Sequence, residues 1–360
     1  MHCLATFTFY EAILKEEDSI KIHLIGWGLA GAALAWQLHF RNQKFVVHDA
    51  GKNYSTRVAA GIVNPIVFKR FTKSWNADLL MPYAEEFYQK IASILEVKLI
   101  SKKNIFYPFT NTEDENDWSV KMGDDRFKNY LEHTSVKSID GVQSPYGLGK
   151  VNTFGNLDTN LFLDQSKLYF EKAGIEFITE KFDYTIAEKD AAASYIFCEG
   201  IDVIKNPLFD YLPMKSSHGE TLVIESEELK FEDVISKNLF ILPLGNNLFK
   251  VGATYNWELQ EPITTELGKA DLVERLENLI DCQYKIISHQ AGIRPTVSDR
   301  RPILGVHCTK KNTFIFNGLG TKGVMLAPYY AEHFVNFFLD NLPLDVEVNI
   351  QRFEKRFFKS

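Results

Sequence analysis

The sequence predicts an α/β fold in which a parallel-sheet lobe is interrupted by an antiparallel, β-rich lobe. Three observations carry the prediction. The glycine turn Gly26-Trp27-Gly28-Leu29-Ala30-Gly31 directly follows the apolar run Ile22 to Ile25. A second turn of the same form, Gly318-Leu319-Gly320-Thr321-Lys322-Gly323, follows Thr313 to Asn317. Between them, from Gly219 to Ala253, the pattern becomes hairpin-like alternation, as in Thr221 to Ile224 and Leu239 to Leu242. At 360 residues the chain is long for one hydrophobic core, so two intertwined lobes are expected.

The elements follow in order. Residues 1–19 read as an N-terminal extension, with Phe7, Phe9, Tyr10 and the acidic cluster Glu16-Glu17-Asp18. They lack the basic leading region and cleavage site of a signal peptide. Ile22 to Ile25 forms the first strand, and the turn after it opens a helix from Leu29 to Phe40. Glycine there permits the tight turn and close backbone approach to a pyrophosphate, and the amides of the helix start face the anion. The next strand, Phe45 to His48, ends at Asp49, roughly twenty residues on, where a carboxylate accepts ribose hydroxyls. Tyr54 to Pro65 is a loop of small residues that includes Ala59, Ala60 and Gly61. Apolar residues at helical spacing predict a helix over Ala77 to Leu95. Short strands and polar loops fill 98–150, with 111–125 acidic and exposed. Asp158 caps a helix that runs to Ala173 and stops at Gly174. Strands Ile175 to Ile178 and Tyr195 to Cys198 follow, the second running into Gly200. A helix over Glu266 to Ile280 interrupts the β-rich region, and a strand and helix cover Ile315 to Leu339. The nucleotide lobe is therefore expected in three pieces, 20–75, 151–204 and 286–360, and the substrate lobe in two, 76–150 and 205–285.

Composition excludes several classes. A net charge of -7 argues against a general nucleic-acid binder. Cys3, Cys198, Cys282 and Cys308 lack paired spacing and read as reduced thiols of a cytoplasmic protein. The nine histidines show no metal-ligand spacing, so no metal site is expected. The apolar run from Val324 to Leu339 is broken by Glu332, His333 and Asn336, which makes it a buried helix and not a membrane span.

Five landmarks in order carry a family resemblance. They are Gly26 to Gly31 with Asp49; the loop Ala59-Ala60-Gly61-Ile62; Cys198-Glu199-Gly200; Ala291-Gly292-Ile293-Arg294-Pro295; and Gly318 to Pro328. Together the chain resembles the FAD-dependent oxidoreductases of the D-amino-acid oxidase, glycine oxidase and sarcosine oxidase superfamily, from Ile20 to Leu339. The resemblance implies a Rossmann-like FAD-binding domain with an inserted antiparallel substrate domain. It implies FAD bound without a covalent link, because the region from Gly292 to Pro295 holds no cysteine. The cofactor-binding candidates are Gly26, Gly28, Leu29, Ala30, Gly31, Asp49, Ala59, Ala60, Gly61, Gly200, Gly318, Gly320, Thr321, Lys322 and Gly323. The activity implied is oxidation of a small amine or amino acid by hydride transfer to flavin, with oxygen or another acceptor taking the electrons.

Arg294 and Lys322 are the candidate catalytic residues. By the resemblance, the arginine of Gly-x-Arg-Pro grips a substrate carboxylate, for which a guanidinium fork is suited. Its alternative is an arginine bound to flavin or to a structural carboxylate such as Asp299. Lys322, at a helix start, would favour the negative charge of reduced flavin; its alternative is a solvent-facing lysine. Phe240 stands where amino-acid oxidases often place a tyrosine. His218 is read as a structural histidine, Tyr255 and Trp257 as cavity or core aromatics, and Arg57 as a phosphate-reaching or solvated loop residue. Two further readings remain open: a flavoenzyme of the same superfamily acting on a modified nucleoside in tRNA, and a flavin-binding protein without turnover. Oligomeric state and substrate are left open.

Overall fold

A computed structural model of the protein describes residues 21–52, 54–134 and 136–358. The extension expected over 1–19 lies outside them. Two large sheets organise the chain. The first has six strands in the order Phe177–Ile178, Phe45–His48, Lys21–Ile25, Ala193–Phe197, Thr313–Asn317 and Ile303–Val306. All neighbours in it are parallel except the last pair. The second sheet has eight strands and begins Lys285–Val297, Met214–Glu225, Leu248–Gly252, Leu239–Gly245 and Val234–Lys237. It continues through Ile105–Pro108, Leu148–Val151 and Leu131–His133, antiparallel except where Val234–Lys237 meets Ile105–Pro108.

The helix Leu29–Phe40 is buried continuously from Leu29 to Leu38 because it is covered on every side. It packs on the first strand, on Thr159–Lys172 and on Gly323–Asp340. Trp36 donates its indole N–H to Ser166 Oγ at 2.8 Å. Small residues make the approach possible: a Cβ on Gly31 would lie 2.0 Å from the Gly26 carbonyl oxygen. The helix Ala77–Leu95 buries Leu80, Ala84, Phe87 and Ile91 along one stripe. Asp158 caps Thr159–Lys172 by accepting from the Leu161 amide at 2.9 Å.

Four expectations need correction. Tyr54–Val58 is a short helix and not loop. Within the expected acidic loop, Thr112–Met122 is a helix capped by Asn111, and Trp118 is its single buried anchor. Residues 286–297, expected in the nucleotide lobe, belong to an edge strand of the antiparallel sheet. The helix Ala77–Leu95, expected in the substrate lobe, packs against Gly323–Asp340 beside the parallel sheet.

The strand Lys285–Val297 positions the site. Its C-terminal end reaches the parallel sheet, where Val297 joins a core with Ile25, Phe197, Ile303 and Ile315. Tyr54–Val58 and the short helical turns Gly200–Lys205 and Gly320–Lys322 all pack on this strand.

Candidate functional site

Strands Phe45–His48 and Ala193–Phe197 flank Lys21–Ile25 on opposite sides, in parallel register. Their C-terminal ends therefore open a crevice at a topological switch point, where open α/β sheets bind ligands. Gly26 lies at φ +105°, and a Cβ there would come within 2.6 Å of the Cys198 carbonyl oxygen. Its amide donates to the His48 carbonyl at 2.7 Å. The Trp27 amide donates to Asp49 Oδ1 at 3.3 Å, and the Leu29 amide to Thr56 Oγ1 at 3.2 Å.

A cavity of about 670 Å³ occupies this crevice. Of the predicted residues, Gly26, Gly28, Leu29, Ala30, Asp49, Gly200, Gly320 and Gly323 line it. Gln260 to Ile263, Ile293 and Pro295 also line it. Among the described residues, no atom other than those of Gly200 and its chain neighbours lies within 4 Å of where a Cβ on Gly200 would sit, so the cavity is open there. Outside the cavity lining, on the Arg294 face of the sheet, the buried hydroxyls of Thr296, Ser217 and Thr221 have no hydrogen-bond partner among the described residues. A glycine cradle at a helix start and a carboxylate after the second strand fit a dinucleotide.

The other predicted residues do not line the cavity. Gly31 spaces the helix from the turn. Gly61, at φ +70°, packs against the backbone of Leu157, where a Cβ would meet the carbonyl oxygen at 1.9 Å. Gly318 packs on the Val297 side chain. Thr321 is exposed. Ala59 and Ala60 sit on the loop between Tyr54–Val58 and Pro65. Lys322 is not solvent-facing: its ammonium donates to the Asn64 carbonyl at 2.6 Å, and burial pushes its pKa down to about 8.

Arg294 points away from the cavity face that Ile293 and Pro295 form. It crosses the neighbouring strand at Gly219, where a Cβ would lie 2.2 Å from both terminal guanidinium nitrogens. Beyond Gly219 the guanidinium stacks over the Tyr255 ring, 4.4 Å from its centre. Nη1 donates weakly to the carbonyls of Ser217, His218 and Thr254 at 3.3–3.5 Å. Among the described residues no carboxylate pairs with it, and burial lowers its pKa. Asp299, the structural alternative, pairs instead with Arg352 at 2.8 Å. Arg57 pairs with Asp164 at 2.6 Å at the surface and does not line the cavity.

Sequence reasoning missed two ionisable groups. Lys250 is only 8 % exposed, and its ammonium faces the Ala59 carbonyl at 3.4 Å. Burial pushes it down to about 8. The register sets Thr221 opposite Gly252 and Val223 opposite Lys250, so Lys250 shares a sheet face with Gly219 and the Arg294 guanidinium. Its signal was a charge between the apolar Phe249 and Val251 in a predicted strand. Phe240, paired with Gly252, adds an apolar ring to that face. Glu199 lines the cavity beside Gly26, and burial raises its carboxyl to about 7 against hydrogen bonds from Asn206 and Tyr184. Among the described residues no group of histidines, cysteines and carboxylates could hold a metal, and no helix is long and apolar enough to cross a membrane.

Comparison with known proteins follows the same lines. Residues 22–336 match the DAO family model, described as FAD dependent oxidoreductase. A curated relative is the tRNA 5-methylaminomethyl-2-thiouridine biosynthesis bifunctional protein MnmC of Campylobacter jejuni subsp. doylei, 26% identical over 300 residues. The match covers 79% of this chain but 46% of the relative, so the chain spans about half the length of the curated proteins it matches over most of its residues. Among solved structures, glycine oxidase from Geobacillus kaustophilus superposes with a TM-score of 0.73 at 15% identity, covering 93% of this chain and 98% of that one. Iminodiacetate oxidase from Chelativorans sp. BNC1 gives 0.73 at 17%, covering 91% and 98%. At these identities the likeness is one of fold.

Proposed function

The chain belongs to the DAO family of FAD-dependent oxidoreductases, and from that premise we propose that it oxidises the C–N bond of a small amine or amino acid bearing a carboxylate. One observation carries the substrate class: Arg294 is a sequestered guanidinium with no carboxylate partner among the described residues, stacked on Tyr255. A substrate carboxylate would supply the missing counter-ion through two parallel charge-assisted hydrogen bonds. FAD, when bound, accepts a hydride from the carbon next to nitrogen. Gly26, Gly28, Leu29, Ala30, Asp49, Gly200, Gly320 and Gly323 would hold it, with Gly31, Gly61 and Gly318 keeping the surrounding backbone close-packed.

The remaining chemistry is positioning. Arg294 would fix the carboxylate, Phe240 would exclude water from the same sheet face, and Lys250 and Lys322 would supply positive charge near the Ala59–Asn64 loop. Glycine oxidase and iminodiacetate oxidase, whose folds this chain shares, are named for substrates of this kind. We assign the chain to the cytoplasm on its free Cys198, Cys282 and Cys308. Oxygen or another acceptor would complete the cycle, and peroxide release under air separates the two.

The test compares an amino acid with the matching amine that lacks a carboxylate, by anaerobic bleaching of the flavin. With Arg294 intact the amino acid reduces flavin faster. Arg294→Ala removes that preference, weakening carboxylate binding by about 2–5 kcal/mol, while flavin content holds. Arg294→Lys keeps the charge, loses the fork and falls between. Equal loss for both substrates together with loss of FAD would make Arg294 a structural residue. A second reading is favoured by the curated relatives, which are named for tRNA modification. Tyr255, stacked on Arg294 and 60% exposed, and Trp257, 50% exposed, could stack a base. Salt-dependent retention of tRNA on the purified protein would support it.

A further inference from the structure

Strand Met214–Glu225 presents Gly219 on one face, under the Arg294 guanidinium, and His218 and Glu220 on the other. Both are buried, at 0% and 2% exposure, and the proposed reaction uses neither. Apart from His289 on the neighbouring strand, the partners named below lie in the segment between the strand Leu248–Gly252 and the helix Glu266–Glu277. His218 exchanges both backbone hydrogen bonds with Asn256, at 2.9 and 3.0 Å. Its ring Nε2 lies 2.8 Å from the Ile263 carbonyl. Glu220 accepts from the Thr265 amide at 2.9 Å and the Thr265 hydroxyl at 2.8 Å. Its backbone N–H donates to Thr254 Oγ1 at 2.9 Å, and its carboxylate lies 2.6 Å from His289 Nε2.

This segment carries Tyr255, which stacks on Arg294, and it carries Gln260 to Ile263, which wall the cavity. Two side chains thus tie down the stretch that covers the arginine on one side of the sheet and closes the cavity on the other. The His218 carbonyl also accepts from Arg294 itself at 3.3 Å. A carboxylate is costly to bury unless its oxygens are satisfied, and here the Thr265 donors and His289 surround it.

We propose that His218 and Glu220 are positioning residues that hold Tyr255 and the Gln260–Ile263 wall in place, and so set the affinity of the Arg294 site for a carboxylate. The inference rests on the reading of Arg294 given above. Release of the segment would leave Tyr255 free to leave the guanidinium, return water to Arg294 and weaken the ion pair by screening.

The test uses FAD-loaded protein and acetate as the probe, read as a perturbation of the flavin absorbance spectrum, with acetamide as the uncharged control. Wild type binds acetate better than acetamide, and Arg294→Ala abolishes the difference. His218→Leu, which cannot bond Ile263, and Glu220→Gln, which keeps shape and loses charge, each weaken acetate binding roughly tenfold. Acetamide binding and FAD content stay near those of wild type. His218→Gln, whose amide can still reach the Ile263 carbonyl, restores acetate affinity. Unchanged acetate affinity in FAD-loaded His218→Leu and Glu220→Gln overturns the proposal while leaving Arg294 in its role. Equal loss of acetate and acetamide, or no rescue by His218→Gln, also overturns it, since a general packing defect would do the same. Failure of wild type to prefer acetate overturns the reading of Arg294, and this proposal with it.

Discussion

Gly219 decides whether Arg294 can reach across its neighbouring strand. The guanidinium passes over the glycine Cα, and a methyl group there would sit 2.2 Å from two of its nitrogens. Gly219→Ala therefore forces the arginine off Tyr255. The expected result is Arg294→Ala behaviour with the arginine still present: flavin content near normal, and no advantage for an amino acid over its amine in anaerobic reduction. An intact preference would show that the guanidinium reaches carboxylate from elsewhere. Arg294 was legible because its motif names it, whereas Gly219 was not, since the need for a missing side chain appears only when two strands are in register. Lys250 makes the opposite case. Its pKa lies at about 8 against an ordinary 10.5 because burial penalises the charged form. The native apoprotein thus bears the full cost of a charged Lys250 below pH 8, and the cost fades as pH rises toward 10.5, where the lysine is neutral in both states. Lys250→Met should stabilise the apoprotein at pH 7 by up to about 3 kcal/mol, and the gain should shrink by pH 10. The Ala59 carbonyl it leaves belongs to an exposed residue that water can serve. Denaturant titrations at the two pH values check this; a gain that does not change with pH would come from packing and not from charge.

Elements marked by a glycine turn, a side-chain cap or a long apolar stripe were the readable ones. Leu29–Phe40, Ala77–Leu95 and Thr159–Lys172 fall within a residue of expectation: the glycine turn marks the start of the first, an apolar stripe marks the second, and the Asp158 cap marks the third. Thr112–Met122 was misread although Asn111 caps it and Glu113, Asp114 and Glu115 fill its first turn. Only Trp118 is buried on that helix, so no stripe marks it. Tyr54–Val58 spans 5 residues, too few to establish a period. The two kinds of glycine in the site predict different responses to one methyl group. Gly31→Ala places Cβ 2.0 Å from the Gly26 carbonyl oxygen, which is backbone and cannot swing aside. The helix must move off the turn, and FAD retention should be lost with it. Gly200→Ala meets no atom within 4 Å and carries only the strain of φ +59°, about 1–2 kcal/mol. Its FAD content should remain close to wild type. The ratio of flavin to protein absorbance after purification reads both; equal retention in the two variants would detach the first turn from cofactor binding.

At the scale of the whole molecule, the lobes are stitched by the strand Lys285–Val297, which pairs in the antiparallel sheet and ends in the core of the parallel one. That is why a boundary at 286 could not be read from sequence: alternation marks a strand but not which sheet its edge will meet. The cavity inherits this arrangement, since Gly26 to Ala30 and Gln260 to Ile263 line one space from distant parts of the chain. A ligand that fills it must stabilise both sheets together. Adding FAD to apoprotein at about 100 times its dissociation constant should raise stability by about 2.7 kcal/mol, in one unfolding transition. Hydrogen exchange locates the effect. Amides at 26–30 and at 260–263 should slow together on FAD addition, although more than two hundred residues separate them in the chain. Gly28→Val, whose side chain would block backbone approach to the pyrophosphate, should abolish protection at both places. Protection confined to 26–56 would mean that the Gln260–Ile263 wall belongs to the substrate side of the cavity alone, and that the cofactor binds to the parallel sheet without joining the two.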